Sequence, residues 1–145
     1  MVSRFYAIDE ANAALPEVER ILVVLRDERE QLIELRDKVV AASPPDGETP
    51  TTGTAEQIRL LRLGMQGLID QMQAGVARLV EMDVTLRDIS SGLIDFPALV
   101  SGRPIWLCWR LGETDVAHWH PHDEGFDSRR PLSELPSGRS SGSPA

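Results

Sequence analysis

The sequence predicts an α+β fold: a long antiparallel helical hairpin followed by a small antiparallel β-sheet of C-terminal hairpins packed on it. Two amphipathic repeats at helical spacing, separated by a proline-rich break, predict the helical hairpin. After residue 83, short β-branched and aromatic runs punctuated by glycine and proline predict the sheet. The segment 92–132, GLIDFPALVSGRPIWLCWRLGETDVAHWHPHDEGFDSRRPL, holds all three tryptophans, all three histidines and the only cysteine, so the chemistry is expected there.

Taken in order, residues 1–8 read as a short strand or an apolar lead-in, with Phe5, Tyr6 and Ile8 packing on the helices. A first helix is expected over 9–42, with Asp9 as N-cap. Pro16 has no N–H to give the Asn12 carbonyl, which predicts a kink or a restart of the helix there. Ala11, Leu15, Val18, Leu22, Leu25, Leu32 and Val39 form the apolar stripe, interrupted by Arg29 and Arg36. Residues 43–53, SPPDGETPTTG, form a loop. Thr54, Ala55, Glu56 and Gln57 match a capping box that would open a second helix over 54–83. Its stripe is Ile58, Leu61, Met65, Leu68, Met72, Gly75, Leu79 and Met82. Each helix would be about 40 Å long at ~1.5 Å rise per residue. Such a hairpin cannot cover both of its own faces and needs the C-terminal stretch, a second copy of itself, or both, which is the argument for a homodimer through the helices.

A small sheet is expected over 84–120. The heptad could continue through Leu86 to Ile89, but residues 84–89 read better as a strand, and Ser90, Ser91 and Gly92 turn into LIDF, which Pro97 stops or confines to an edge. Residues 101–104 make a turn into the strand 105–110, and Gly112-Glu113 reads as a two-residue hairpin loop. That register sets Arg110 opposite Asp115, Trp109 opposite Val116, Cys108 opposite Ala117, Leu107 opposite His118 and Trp106 opposite Trp119. It groups His118 and His120 with Ile105, Leu107, Trp109 and Val116 on one face. A closing loop over 121–132 completes a single domain, and 133–145, rich in serine, glycine and proline, reads as a disordered tail.

A formal charge of −8 with no basic face argues against nucleic acid and anionic membranes as partners. No apolar run reaches the ~18 residues needed to span a bilayer, and the N-terminus lacks the pattern of a signal peptide. A lone Cys108 makes no internal disulfide and fits a reducing compartment, so a cytoplasmic location is expected.

GLIDFPA, LCWRLGE and HWHPHDEGFDSRRPL, in that order after a helical region opening with DEANAALPEV, resemble the prokaryotic family of uncharacterised proteins DUF2203. The resemblance runs from about Phe5 to Leu132. It implies a compact bacterial domain of this layout and no mechanism. Asp83, at the expected end of the second helix, stands where the family would have glycine.

His118, His120 and His122 are spaced H-x-H-x-H, and on one continuous strand all three would point to the same side, as metal ligands do. Cys108, Glu113, Asp123 and Glu124 are further candidate ligands, and histidines with carboxylates suit zinc, iron or manganese. Pro121 counts against the set, because it ends the alternation before His122. The competing reading makes His118 and His120 hydrogen-bonded residues of the fold. Cys108 beside a histidine suggests a nucleophile, yet mid-strand between two tryptophans it suits a small buried hydrophobe better. Asp95 is a candidate turn cap. Arg129 suits a carboxylate or phosphate, or a structural ion pair to Asp95, Glu113 or Asp127. Trp109 is expected in the core. Asp95, Trp106, Glu113, His118, Trp119, His120 and Arg129 together make the candidate ligand or partner surface. The leading expectation is a non-enzymatic module that presents its C-terminal sheet surface to a protein or small ligand. The alternative is a metal-binding protein or metal-dependent enzyme using His118 and His120 with a nearby carboxylate.

Overall fold

The computed structural model describes residues 4–135. Helix α1 spans Ile8–Ala42 and helix α2 spans Thr52–Glu81, packed as an antiparallel hairpin. The strands are β1 (Thr85–Asp88), β2 (Leu93–Val100), β3 (Arg103–Arg110), β4 (His118–Pro121) and β5 (Arg130–Pro131). They form one antiparallel sheet in sequential order. No helix among the described residues is long and apolar enough to cross a membrane.

The helix ends differ from expectation for local reasons. The N-cap of α1 is Ala7, not Asp9; the Glu10 carboxylate accepts from the Ala7 N–H at 2.8 Å, and Asp9 falls in the first turn, where the helix dipole favours an anion. The helix runs unbroken through Pro16 and does not restart there. Thr51 caps α2, its Oγ1 accepting from Thr54 N at 3.1 Å, so the capping box over 54–57 does not form; Glu56 instead pairs with Arg59 at 2.7 Å. At the far end Asp83 takes a left-handed φ of 59°. The Val84 N–H reaches Leu79 O and the Asp83 N–H reaches Val80 O, both at 2.9 Å, which is the Schellman closure that usually calls for glycine.

The lead-in to α1 closes over the sheet. Tyr6 N donates to Pro97 O at 2.7 Å, and the Tyr6 hydroxyl donates to Met82 O at 2.6 Å. Strand β2 does not stop at Pro97 but continues to Val100. It tolerates the proline because β1 pairs only with residues 93–95, and beyond them Pro97 meets Tyr6, which uses its carbonyl as an acceptor and needs no donor from it. Ser101 and Gly102, with φ of 50° and 80°, make the two-residue turn into β3. Gly92 has a φ of 68°, and a Cβ there would lie 2.5 Å from the Leu111 Cβ, so only glycine fits this corner.

The register between β3 and β4 differs by one residue from the expected hairpin. Cys108 pairs with His118, Leu107 with Trp119, Trp106 with His120 and Ile105 with Pro121. The connection is longer than a two-residue loop. The Glu113 carboxylate accepts from Arg110 N at 2.8 Å, and Val116 N donates to the Asn12 side chain on α1 at 2.7 Å. These bonds draw 114–117 off the sheet and bury Val116 against the helix. A one-residue shift exchanges the faces of β4. Trp119 therefore joins the core, whereas His118 and His120 lie on the side away from the helices.

The inner face carries Ile94, Phe96, Ala98, Ile105, Leu107, Trp109 and Trp119, packed on Ala11, Leu15, Val18, Leu22 and Leu25 of α1 and Leu79 of α2. Gly75 lets the helices approach closely, since a Cβ there would lie 3.1 Å from Leu25 Cδ2. Beyond Glu28 the sheet no longer covers the hairpin, and the stripe residues Leu32, Leu61, Met65 and Leu68 are only half-buried. At the other end of the chain Leu132 and Leu135 pack on the core, so the ordered chain extends past the expected boundary at 132. The rest of the expected tail, 136–145, lies outside the described residues.

Candidate functional site

The outer face of the sheet is buried at its centre, there with polar side chains. Asp95 on β2 is paired across the ladder with Cys108 on β3. Asp95 is 2% exposed, Cys108 1% and His120 1%. The loop 121–129 roofs this face. The ring of His122 stacks on Trp106 with centroids 5.0 Å apart, and the Trp106 indole N–H donates to His122 O at 3.1 Å. Arg87 sits at the irregularity in the β1–β2 pairing, and its guanidinium lies over the other side of the cluster, 4.9 Å from the Trp106 ring. A bulge of this kind re-aims one side chain, here toward Asp95.

Asp95 and His120 form the centre. His120 Nε2 lies 3.0 Å from Asp95 Oδ2, and Arg87 Nε donates to the same oxygen at 2.8 Å. The other ring nitrogen, Nδ1, lies 3.0 Å from Pro121 O. A carbonyl and a carboxylate both only accept, so either ring nitrogen can carry the proton of a neutral imidazole, and both contacts are met together only when a proton or another cation lies on each side of the ring. Asp95 Oδ1 is buried and has no hydrogen-bond partner among the described residues. The Cys108 Sγ, a His120 ring nitrogen and an Asp95 oxygen all lie within 4.8 Å of one another.

Burial, and then the Asp95 charge, push the Cys108 thiol up to about 12. It stays protonated near neutral pH and is not an activated nucleophile.

A second polar cluster lies beside the first. Arg129 Nη2 donates to Glu113 Oε2 at 2.6 Å and contacts His118 Nδ1. A guanidinium only donates, so His118 Nδ1 accepts, and the ring proton sits on Nε2. Phe126 lies under both the Arg129 and Arg110 guanidiniums, at 4.8 and 5.4 Å. This arrangement ties the closing loop to the sheet end.

The structure thus divides the sequence-derived candidates among separate settings. His118, Glu113 and Arg129 form one cluster, and His120 and Asp95 another. His122 stacks on Trp106, and Asp123 lies on an exposed rim. Trp119 is in the core, with the Arg130 guanidinium 5.3 Å from its ring. Asp95 does not cap a turn. Arg87 escaped the sequence reading altogether, since its role depends on a bulge.

Between the roof and the sheet lies a cleft of about 300 Å³, lined by Arg87, Asp95, His120, His122, Asp123 and Glu124 among others. Its walls carry three carboxylates against one arginine.

The family model described as an uncharacterized conserved protein, DUF2203, matches residues 4–132. No curated protein and no solved structure matches the chain.

Proposed function

This chain belongs to the DUF2203 family, and from that premise we propose a non-enzymatic binding module that receives a small cationic ligand on the outer face of its sheet. The observation that carries this reading is the cleft, lined by Asp95, Asp123 and Glu124 against Arg87, together with the buried, unpartnered Oδ1 of Asp95. A buried acceptor without a donor favours a ligand that brings positive charge or N–H groups. Catalysis gains no comparable support: the Cys108 thiol is protonated, and His118 Nδ1 is engaged by Arg129. Amide spectra recorded in the presence of a chelator, with methylammonium and methylguanidinium as probes, test the reading. Saturable shifts at His120, Asp123 and Gly125, weakened in an Asp123→Asn, Glu124→Gln variant, are expected. No shift at millimolar probe would overturn the small-cation reading for organic ligands.

The helices support a second element of the proposal, a homodimer. An almost wholly apolar groove runs along Leu32, Ile69, Met72 and Val76, and Val24, Leu60 and Leu63 are exposed. Light scattering is expected to give twice the 16.0 kDa chain mass, and a monomer mass at micromolar concentration would remove the dimer.

A further inference from the structure

The geometry points to a divalent transition-metal site formed by Asp95, Cys108 and His120, with its remaining coordination position open to the cleft. The inference rests on the small-cation reading of that cleft and names the cation.

Four observations converge on it. The three side chains offer one oxygen, one sulfur and one nitrogen within 4.8 Å of one another, and all three residues are at least nine-tenths buried. Tetrahedral zinc-type coordination, with bonds of about 2.0–2.3 Å, separates its ligand atoms by roughly 3.3–3.8 Å, so a pair at the outer limit of this cluster closes by about an ångström on binding. His120 is oriented as a ligand would be: in the tautomer that donates Nδ1–H to the Pro121 carbonyl at 3.0 Å, Nε2 is left as a donor atom for a metal beside Asp95. A backbone carbonyl on the distal nitrogen is the common way of fixing a metal-binding imidazole. Nε2 and the carboxylate oxygen meet only through a cation, and a metal ion supplies one as a proton does. Finally, Asp95 Oδ1 is buried without a hydrogen-bond partner, so the carboxylate can offer a second oxygen to a metal held between His120 Nε2 and Oδ2, with Arg87 steadying Oδ2.

The donor set selects the ion. One thiolate and one imidazole disfavour calcium and magnesium, which take oxygen ligands, and suit zinc or a metal that replaces it. Binding exchanges protons for metal: the ion displaces the Cys108 thiol proton and the proton shared by His120 and Asp95, and both go to solvent. Three protein ligands with an open fourth position leave room for water or a small ligand entering from the cleft, into which Asp95 and His120 both face. His118, Glu113 and Arg129 stay outside the coordination sphere, because Arg129 already occupies His118 Nδ1.

Titration of the untagged, metal-free full chain with cobalt(II) tests the inference, since cobalt reports its own ligands optically. One equivalent is expected to give intense visible bands of low coordination number together with a near-ultraviolet thiolate-to-cobalt band, and both should be displaced by zinc. Cys108→Ala should abolish the near-ultraviolet band, and His120→Gln should weaken cobalt affinity at least tenfold. Far-UV circular dichroism establishes that each variant is folded. Cys108→Ala replaces one small buried residue with another, and it keeps the test valid if His120→Gln fails to fold. Absence of both bands at millimolar cobalt on folded wild-type protein overturns the inference, as does a near-ultraviolet band that survives Cys108→Ala. Shifts from methylammonium or methylguanidinium without cobalt bands would remove the metal alone. Failure of all three probes would remove the cation-binding reading of the cleft as well.

Discussion

Replacing Trp109 with alanine is expected to lower the unfolding free energy by about 3–5 kcal/mol, measured by urea denaturation followed by far-UV circular dichroism. Trp109 is 0% exposed and is the largest fully buried side chain of the core. It pairs with Ile94 on β2 and has no partner on β4, so its indole fills the space where the sheet meets the helices. Its loss leaves a cavity that rigid helices cannot close. One feature moderates the effect: the Trp109 indole N–H is buried without an acceptor, so truncation also removes an unsatisfied donor. The lower half of the range is therefore the expected outcome. Trp109→Phe keeps most of the volume, removes the donor and should cost less than about 1.5 kcal/mol. An alanine variant that loses under about 1 kcal/mol would show that this region is not close-packed. A domain of this size has roughly 5–15 kcal/mol to lose, so the alanine variant stands near the limit of folding.

Asp95→Ala is expected to cost a similar amount, about 3–5 kcal/mol, for a different reason. The carboxylate is shared by His120 and Arg87. Arg87 is 41% exposed and can turn to water when its partner goes, so its loss is small. His120, at 1% exposure, cannot turn away. The penalty is thus the cost of a buried imidazole with an unmet polar atom. The double variant Asp95→Leu, His120→Leu removes both members and should recover much of the stability, because an apolar pair of similar volume has no desolvation cost. Recovery on the second substitution separates this account from simple loss of packing. If the double variant is no more stable than Asp95→Ala, the pair does not carry the effect.

The helices were legible because their signal is local. The stripe from Ala11 to Leu25 repeats at the helical period, and those residues are the ones buried. Helix starts were less so: threonines at 51, 52 and 54 compete for the cap of α2, and nothing within a few residues shows that Thr51 wins. The sheet was legible as strands but not as faces. Its register depends on Asn12 holding Val116 across 104 positions and on Glu113 holding the Arg110 amide, and strand periodicity contains neither. The same limit hid the polar cluster. Asp95 and His120 are 25 residues apart and meet across the intervening strand β3, so their partnership appears only once the register is known. The histidine pattern drew attention to the right strand, whereas the residue that joins His120 to Cys108 is a carboxylate that read locally as a turn cap.

The irregular margins of the sheet have a consequence for how this protein meets other chains. A strand border with open donors and acceptors is a template on which another polypeptide can align. Along the part of β2 that β1 leaves bare, Pro97 has no donor, and its acceptor is taken by Tyr6. β1 is four residues long and irregular at Arg87, and β5 at the opposite margin is only Arg130–Pro131. Every border is thereby capped, shortened or charged, which disfavours fibril-like stacking and strand exchange.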